Sequence, residues 1–168
     1  LKANGNKVKR YSKPKRGRKS PKGLTIWEEK FNKKLKKHHK HFAKKVFHRL
    51  MKKSSTLRTT LKRRSKEYEV EFDISLTQVR EMLYKSYGRK CRYCNTNLLV
   101  NNMACDHIHP LSLGGVSTPD NLQMICMRCN TRKGPLTDKD YGKLLKWLSR
   151  QKEDLTKYVL RKLSSRDF

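Results

Sequence analysis

Two Cys-x-x-Cys pairs, Cys91/Cys94 and Cys126/Cys129, constrain this chain more than any other feature. Each pair lets two thiolates reach one cation from a tight turn. Two pairs make a closed tetrahedral set with no open position, which is the pattern of structural zinc. A domain with a small core gains on the order of 10 kcal/mol or more of folding free energy from such a site. Two disulfides or an iron–sulfur centre are the rival uses of the same side chains. Five cysteines in a basic chain whose start shows no apolar signal core favour metal ligation. Cys105 is left over; it falls in a strand-like run just ahead of Asp106 and reads as a buried strand thiol.

The 168 residues fit one small domain with extensions rather than two domains. The net charge of +29 is unevenly spread: residues 1–66 hold 26 basic and 2 acidic side chains, residues 67–168 hold 17 and 12. The first block repels itself unless a polyanion lies against it, and release of counterions from phosphates favours that association. Nucleic acid is the partner this charge calls for, although a solubilising or targeting tail has the same composition. No run of eighteen apolar residues exists, so no membrane span is expected. The expected location is intracellular and non-secreted (cytoplasm, nucleoid or a phage-infected cell), with an organelle left open.

The expected organisation is a basic nucleic-acid-binding arm over 1–66 and a second domain over 67–168. Residues 1–23, dotted with Gly5, Pro14, Gly17, Pro21 and Gly23, read as an extended tail. Thr25 and Glu28 form a capping box, and Trp27, Phe31, Leu35, Phe42, Val46 and Leu50 follow mostly at helical spacing. This predicts an amphipathic helix over about 25–52, whose lysines, among them Lys33, Lys36, Lys37, Lys44 and Lys45, meet phosphate. Residues 54–66, rich in Ser, Thr and basic side chains, read as a linker. Tyr68, Val70 and Phe72 alternate with acids as in a strand. Ser75 and Gln78 cap a helix carrying Leu76, Val79, Met82 and Leu83, with Gly88 at its C-terminal end. Thr137 opens another helix, and a last one is expected over about 153–163.

Between the cysteine pairs, 103–110 reads as a strand, with Leu98 to Val100 as its hairpin partner across Asn101-Asn102. It carries Asp106-His107-Ile108-His109-Pro110, an acid and an imidazole suited to hydrolysis at phosphate. Ser112-Leu113-Gly114-Gly115, Asn121-Leu122-Gln123 and Cys126-Met127-Arg128-Cys129-Asn130-Thr131-Arg132-Lys133 follow in order. Over about residues 75–150 this series resembles the HNH endonuclease family with its ββα-metal fold. The fold class expected is therefore α+β: a small ββα-metal core pinned by a four-cysteine zinc site, flanked by helices, with the basic arm ahead of it.

The resemblance implies residue roles. Asp106 would be the hairpin ligand of a catalytic Mg²⁺ or Mn²⁺, and Asn130 the ligand on the following helix. His107 would be the general base. Asn121 would brace the loop and orient that base, and Lys133, with Arg132, would reach a phosphate. The family's final ligand is commonly His; here it is Asn130, a weaker and uncharged donor. Strand alternation puts His109 on the face of His107, with its role open. The expected function is a metal-dependent endonuclease hydrolysing phosphodiester bonds in DNA by a one-metal mechanism, with zinc purely structural. The rival is a non-catalytic, zinc-stabilised protein binding RNA, for example ribosome-associated, on the same scaffold.

Overall fold

The structure is a computed structural model and describes Glu29 and residues 40–165. The expected tail over 1–23, the first part (25–39) of the expected helix over about 25–52, and Lys33, Lys36 and Lys37 lie outside the described residues, Glu29 apart. Among residues 40–165, five α-helices and a two-stranded antiparallel ribbon make a mixed α+β fold. In chain order these are α1 (Lys40–Glu67), α2 (Leu76–Ser86), β1 (Met103–His107), β2 (Leu122–Cys126), α3 (Met127–Lys133), α4 (Asp138–Leu148) and α5 (Glu153–Ser165). Among the described residues no helix is long and apolar enough to cross a membrane.

Helix α1 corrects the expected linker: residues 54–66 continue the helix without a break. Two features explain this. Ala43, Val46, Phe47, Leu50, Ser54, Leu61 and Ser65 recur at helical spacings of three, four or seven residues and are buried, so one stripe runs along the helix. Ser54, Ser55, Thr56, Thr59 and Thr60 donate their hydroxyls back to carbonyls three or four residues earlier, which satisfies them without leaving the helix. Hydroxyl residues favour caps and turns, but here tertiary burial outweighs that preference. Each large apolar side chain fully buried contributes roughly 1.5–3 kcal/mol. Two polar ties add to this: Lys53 Nζ donates to Val100 O at 2.9 Å, and Arg58 Nε donates to Ile74 O at 2.9 Å. Lys44 and Lys45 stand exposed, off the stripe.

The expected strand over 68–73 is instead a helix stop followed by a single bridge, Phe72 to Ser117. Glu69 takes φ +53°, Val70 N donates to Ser65 O at 3.0 Å, and Glu69 N donates to Lys66 O at 3.3 Å. This is a left-handed helix terminator built without glycine. The cap expected of α2 forms as a reciprocal box between Ser75 and Gln78, and Gly88 follows the helix at φ +77°.

The ribbon also departs from the expected hairpin. β1 pairs with β2, in the register Met103 with Cys126, Asp106 with Gln123 and His107 with Leu122. Leu98 to Val100 form no strand. The Asn102 side chain folds that segment into a turn by accepting from Leu99 N at 2.7 Å and donating to Asn97 O at 2.9 Å. One apolar core joins α1, α2, both strands and three knuckle cysteines: Phe47 and Leu50 lie with Val79, Leu83, Leu98, Met103, Ile125, Cys91, Cys126 and Cys129.

Candidate metal centre and active-site cavity

The four cysteines converge as expected. Their sulphurs all lie within 4.8 Å of one another, and Cys94 Sγ is 3.5 Å from Cys126 Sγ. A tetrahedral zinc site with bonds of about 2.3 Å places its sulphurs about 3.8 Å apart, so the set fits zinc. No pair is oxidised to a disulfide. Backbone amides support the anionic form: Cys126 N donates to Cys91 Sγ and Cys129 N to Cys126 Sγ, each at 3.4 Å. Burial opposes ionisation of Cys94, yet hydrogen bonds with Thr96, Cys126 and Cys129 bring its thiol down to about 6. Burial pushes Cys126 and Cys129 up. Crowded thiols cannot all ionise together without a cation, and a bound divalent ion inverts that order.

At the far end of the ribbon a cavity of about 690 Å³ opens between β1, α3 and the last turn of α1. Asp106, His107, Asn130 and Arg64 line it. The carboxylate and the imidazole come from the end of β1 and the amide from the middle of α3, which Cys126 caps through the Cys129 amide. The zinc knuckle therefore sets the position of Asn130.

Asp106 is buried and held on both oxygens. Lys133 Nζ donates to Oδ1 at 3.1 Å, and Gln123 Nε2 donates to Oδ2 at 2.8 Å. Burial raises its pKa, against the pull of Gln123 and Lys133. Lys133 also donates to His107 O at 2.8 Å, and its side chain is 0% exposed. This corrects the expectation that Lys133 reaches a phosphate. A lysine so deep in the fold needs a paired carboxylate, and Asp106 supplies it. Arg132 lines the cavity, with its Nε donated to Ser164 Oγ on α5 at 2.9 Å.

His107 is 7% exposed, and its Nε2 lies 2.9 Å from Ser117 Oγ. Burial, with the positive charges of Arg64 and Lys133, lowers its pKa to about 4. The ring is therefore neutral at pH 7, as a proton acceptor must be. Asn121 braces the loop between the strands: Oδ1 accepts from His109 N at 2.8 Å, and Nδ2 donates to His109 O at 3.0 Å and Val116 O at 2.7 Å. Its side chain holds the backbone next to His107, while Ser117 Oγ contacts the ring. In the same loop Gly115 has no room for a side chain, since a Cβ would stand 1.9 Å from His109 O. The His109 ring turns to the Leu113 carbonyl, at 2.9 Å.

Cys105 is half-buried, and its thiol is raised to about 12 by desolvation and by the Asp106 charge, which makes it a poor nucleophile. Ser117, Ser65, Gln123 and Arg64 also meet at this site. Only Gln123 had a local signal, within Asn121-Leu122-Gln123; the others meet the site through long-range packing.

Comparison with known families bears out the motif resemblance over part of its extent. Residues 91–146, a third of the chain, match the HNH endonuclease family. Comparison with curated proteins found no match.

Proposed function

We propose, from the HNH endonuclease match over residues 91–146 and the cavity beside it, that this protein hydrolyses phosphodiester bonds in DNA. The observation that carries the reading is the convergence of Asp106, neutral His107 and Asn130 on one cavity. Asp106 and Asn130 offer hard oxygen donors, which suit Mg²⁺ or Mn²⁺. Such a cation, when bound there, supplies stabilisation of the charge that builds on the leaving oxygen.

His107 takes a proton from a water molecule, and the resulting hydroxide attacks phosphorus in line with the scissile bond. That P–O bond breaks, and the leaving oxygen collects a proton from solvent. Arg64, which makes no ion pair among the described residues, faces the cavity from α1 and offers its fork to a non-bridging phosphate oxygen. Lys44 and Lys45 add phosphate contacts that set affinity more than sequence choice. Zinc stays structural, because four thiolates leave it no open position.

Supercoiled plasmid and structured RNA, each with Mg²⁺ or Mn²⁺ and with chelator controls, test this reading. The parent protein is expected to nick or linearise the plasmid, and His107→Ala to lose about 10²–10⁴-fold in rate while retaining binding. Tight, salt-sensitive binding with no cleavage of either substrate would make the protein a nucleic-acid-binding module instead.

A further inference from the structure

The cavity beside β1 is lined by two chemistries. Asp106, His107, Asn130 and Arg64 supply charge and hydrogen-bonding groups, whereas Tyr68, Leu111, Pro135, Leu136 and Leu163 supply apolar surface. Its volume of about 690 Å³ falls among sites that enclose a whole small molecule, roughly 300–1,000 Å³. A phosphate and a hydrated cation use only the polar groups, because apolar surface offers them nothing in place of water. The remaining lining suits a flat, largely apolar group joined to a phosphate, and a nucleobase is such a group.

Tyr68 is the aromatic side chain of that lining. It directly follows α1, and its N donates to Arg64 O at 3.0 Å, so the helical turn carries one residue past Glu67. Side chains four apart on a helix stand about 5–6 Å apart at Cβ. The Arg64 fork and the Tyr68 ring are thus neighbours on the cavity lining, separated by a step comparable to that from phosphate to base in one nucleotide. Tyr68 is 45% exposed, and the ring pairs among the described residues, Phe47 with His48 and Tyr93 with Tyr141, do not include it.

We propose that the apolar part of this cavity takes an unpaired nucleobase next to the scissile phosphate, stacked on Tyr68, so that the substrate is DNA with an unpaired nucleotide at the cleavage site. The inference deepens the nuclease reading and rests on it. Within a duplex each base is covered by its neighbours, so a protein ring stacks on it only once it has left the stack. DNA with a bulge, a gap or a single-stranded stretch has already met much of that cost. Every base has a π face, so stacking on Tyr68 selects for an unpaired base rather than for a sequence. Arg64 and Tyr68 precede residues 91–146 and Leu163 follows them, so substrate choice is set by segments that flank the matched one.

The test uses the full chain, zinc-loaded, as parent, Tyr68→Ala and Tyr68→Phe, without added Mg²⁺ or Mn²⁺ so that binding is read free of cleavage. The probes are two fluorescein-labelled DNA hairpins, one fully paired and one with a single bulged 2-aminopurine, and anisotropy gives Kd for each. The parent is expected to bind the bulged hairpin about 5- to 150-fold more tightly than the paired one. Tyr68→Ala should bring that ratio to within about twofold of equality, whereas Tyr68→Phe, which keeps the ring, should retain it. In the bulged complexes 2-aminopurine emission should be lower with the parent than with Tyr68→Ala, because stacking on the ring quenches it. Equal affinity of the parent for the two hairpins, or a preference that survives in Tyr68→Ala, overturns the proposal. If circular dichroism shows that Tyr68→Ala does not fold, Tyr68→Leu, which keeps an apolar side chain without a π face, takes its place. A parent that prefers the bulged hairpin through Tyr68 but cleaves neither once Mg²⁺ or Mn²⁺ is added keeps the base site and ends the nuclease reading. Cleavage with equal affinity for both hairpins keeps the nuclease and removes the base site.

Discussion

At one end of the β-ribbon Met103 faces Cys126, and four sulphurs draw the chain together. At the other end His107 faces Leu122, and a buried lysine, a carboxylate and two hydroxyls do the holding. The first end concentrates like charges that only a cation can reconcile. The second balances its charges within the protein and keeps its imidazole neutral. An end that holds one ion can be closed; the end where catalysis is proposed is satisfied at rest and still opens onto a cavity. The two are joined, because Arg92 from the first knuckle donates to Gln123 Oε1 at 2.9 Å, and Gln123 holds Asp106.

The contrast breaks first under loss of the cation. Cys94→Ser, or zinc removal by a strong chelator, should cost on the order of 10 kcal/mol, comparable to the whole stability of a typical domain. Circular dichroism should show an unfolded chain at 25 °C, and an unchanged melting temperature would sink the structural-zinc assignment. Lys133→Ala strands the Asp106 carboxylate without its cation and should cost about 3–5 kcal/mol in urea unfolding. A Lys133→Ala protein as stable as the parent but weaker on DNA would instead restore the lysine to the substrate surface.

A smaller effect follows from His107. Its pKa lies near 4 in the folded chain against an ordinary 6.5, so between these values the unfolded state binds the extra proton. The stability it contributes is full above pH 6.5 and is lost as pH falls towards 4, a span worth roughly 3 kcal/mol. The stability difference between parent and His107→Gln, followed from pH 7.5 to 4, should shrink across that window; a constant difference would mean an ordinary pKa. Least of all, Ser75→Ala removes one half of the α2 capping box and should cost about 1 kcal/mol, measurable as a shift in urea midpoint.

What the sequence made legible was local chemistry. The cysteine pairs and the Ser75 and Thr137 caps each depend on neighbours within a few positions and form as the sequence predicts, and Asp106-His107 lies at the end of a strand. What it hid depended on burial. The hydroxyl-rich stretch 54–66 reads as linker until its Ser54, Leu61 and Ser65 stripe is seen against a core. Lys133 reads as a phosphate ligand until its side chain is found against Asp106. The partner of β1 was misplaced because Asn102 offered a nearby turn, whereas the real partner comes after a loop clamped by Asn121.

Helix α1 shows Lys44 and Lys45 to solvent while its other side supplies Phe47, Leu50 and Leu61 to the interior. Such an element cannot be exchanged as a cassette. A recombination joint at residue 66 would give the recipient no substitute for the missing interior side chains, and a graft of α1 onto another scaffold would carry an uncovered greasy seam. Any change in polyanion grip at the proposed Lys44 and Lys45 contacts is thus limited to point changes on the outer face of this helix, with its wholesale replacement closed off.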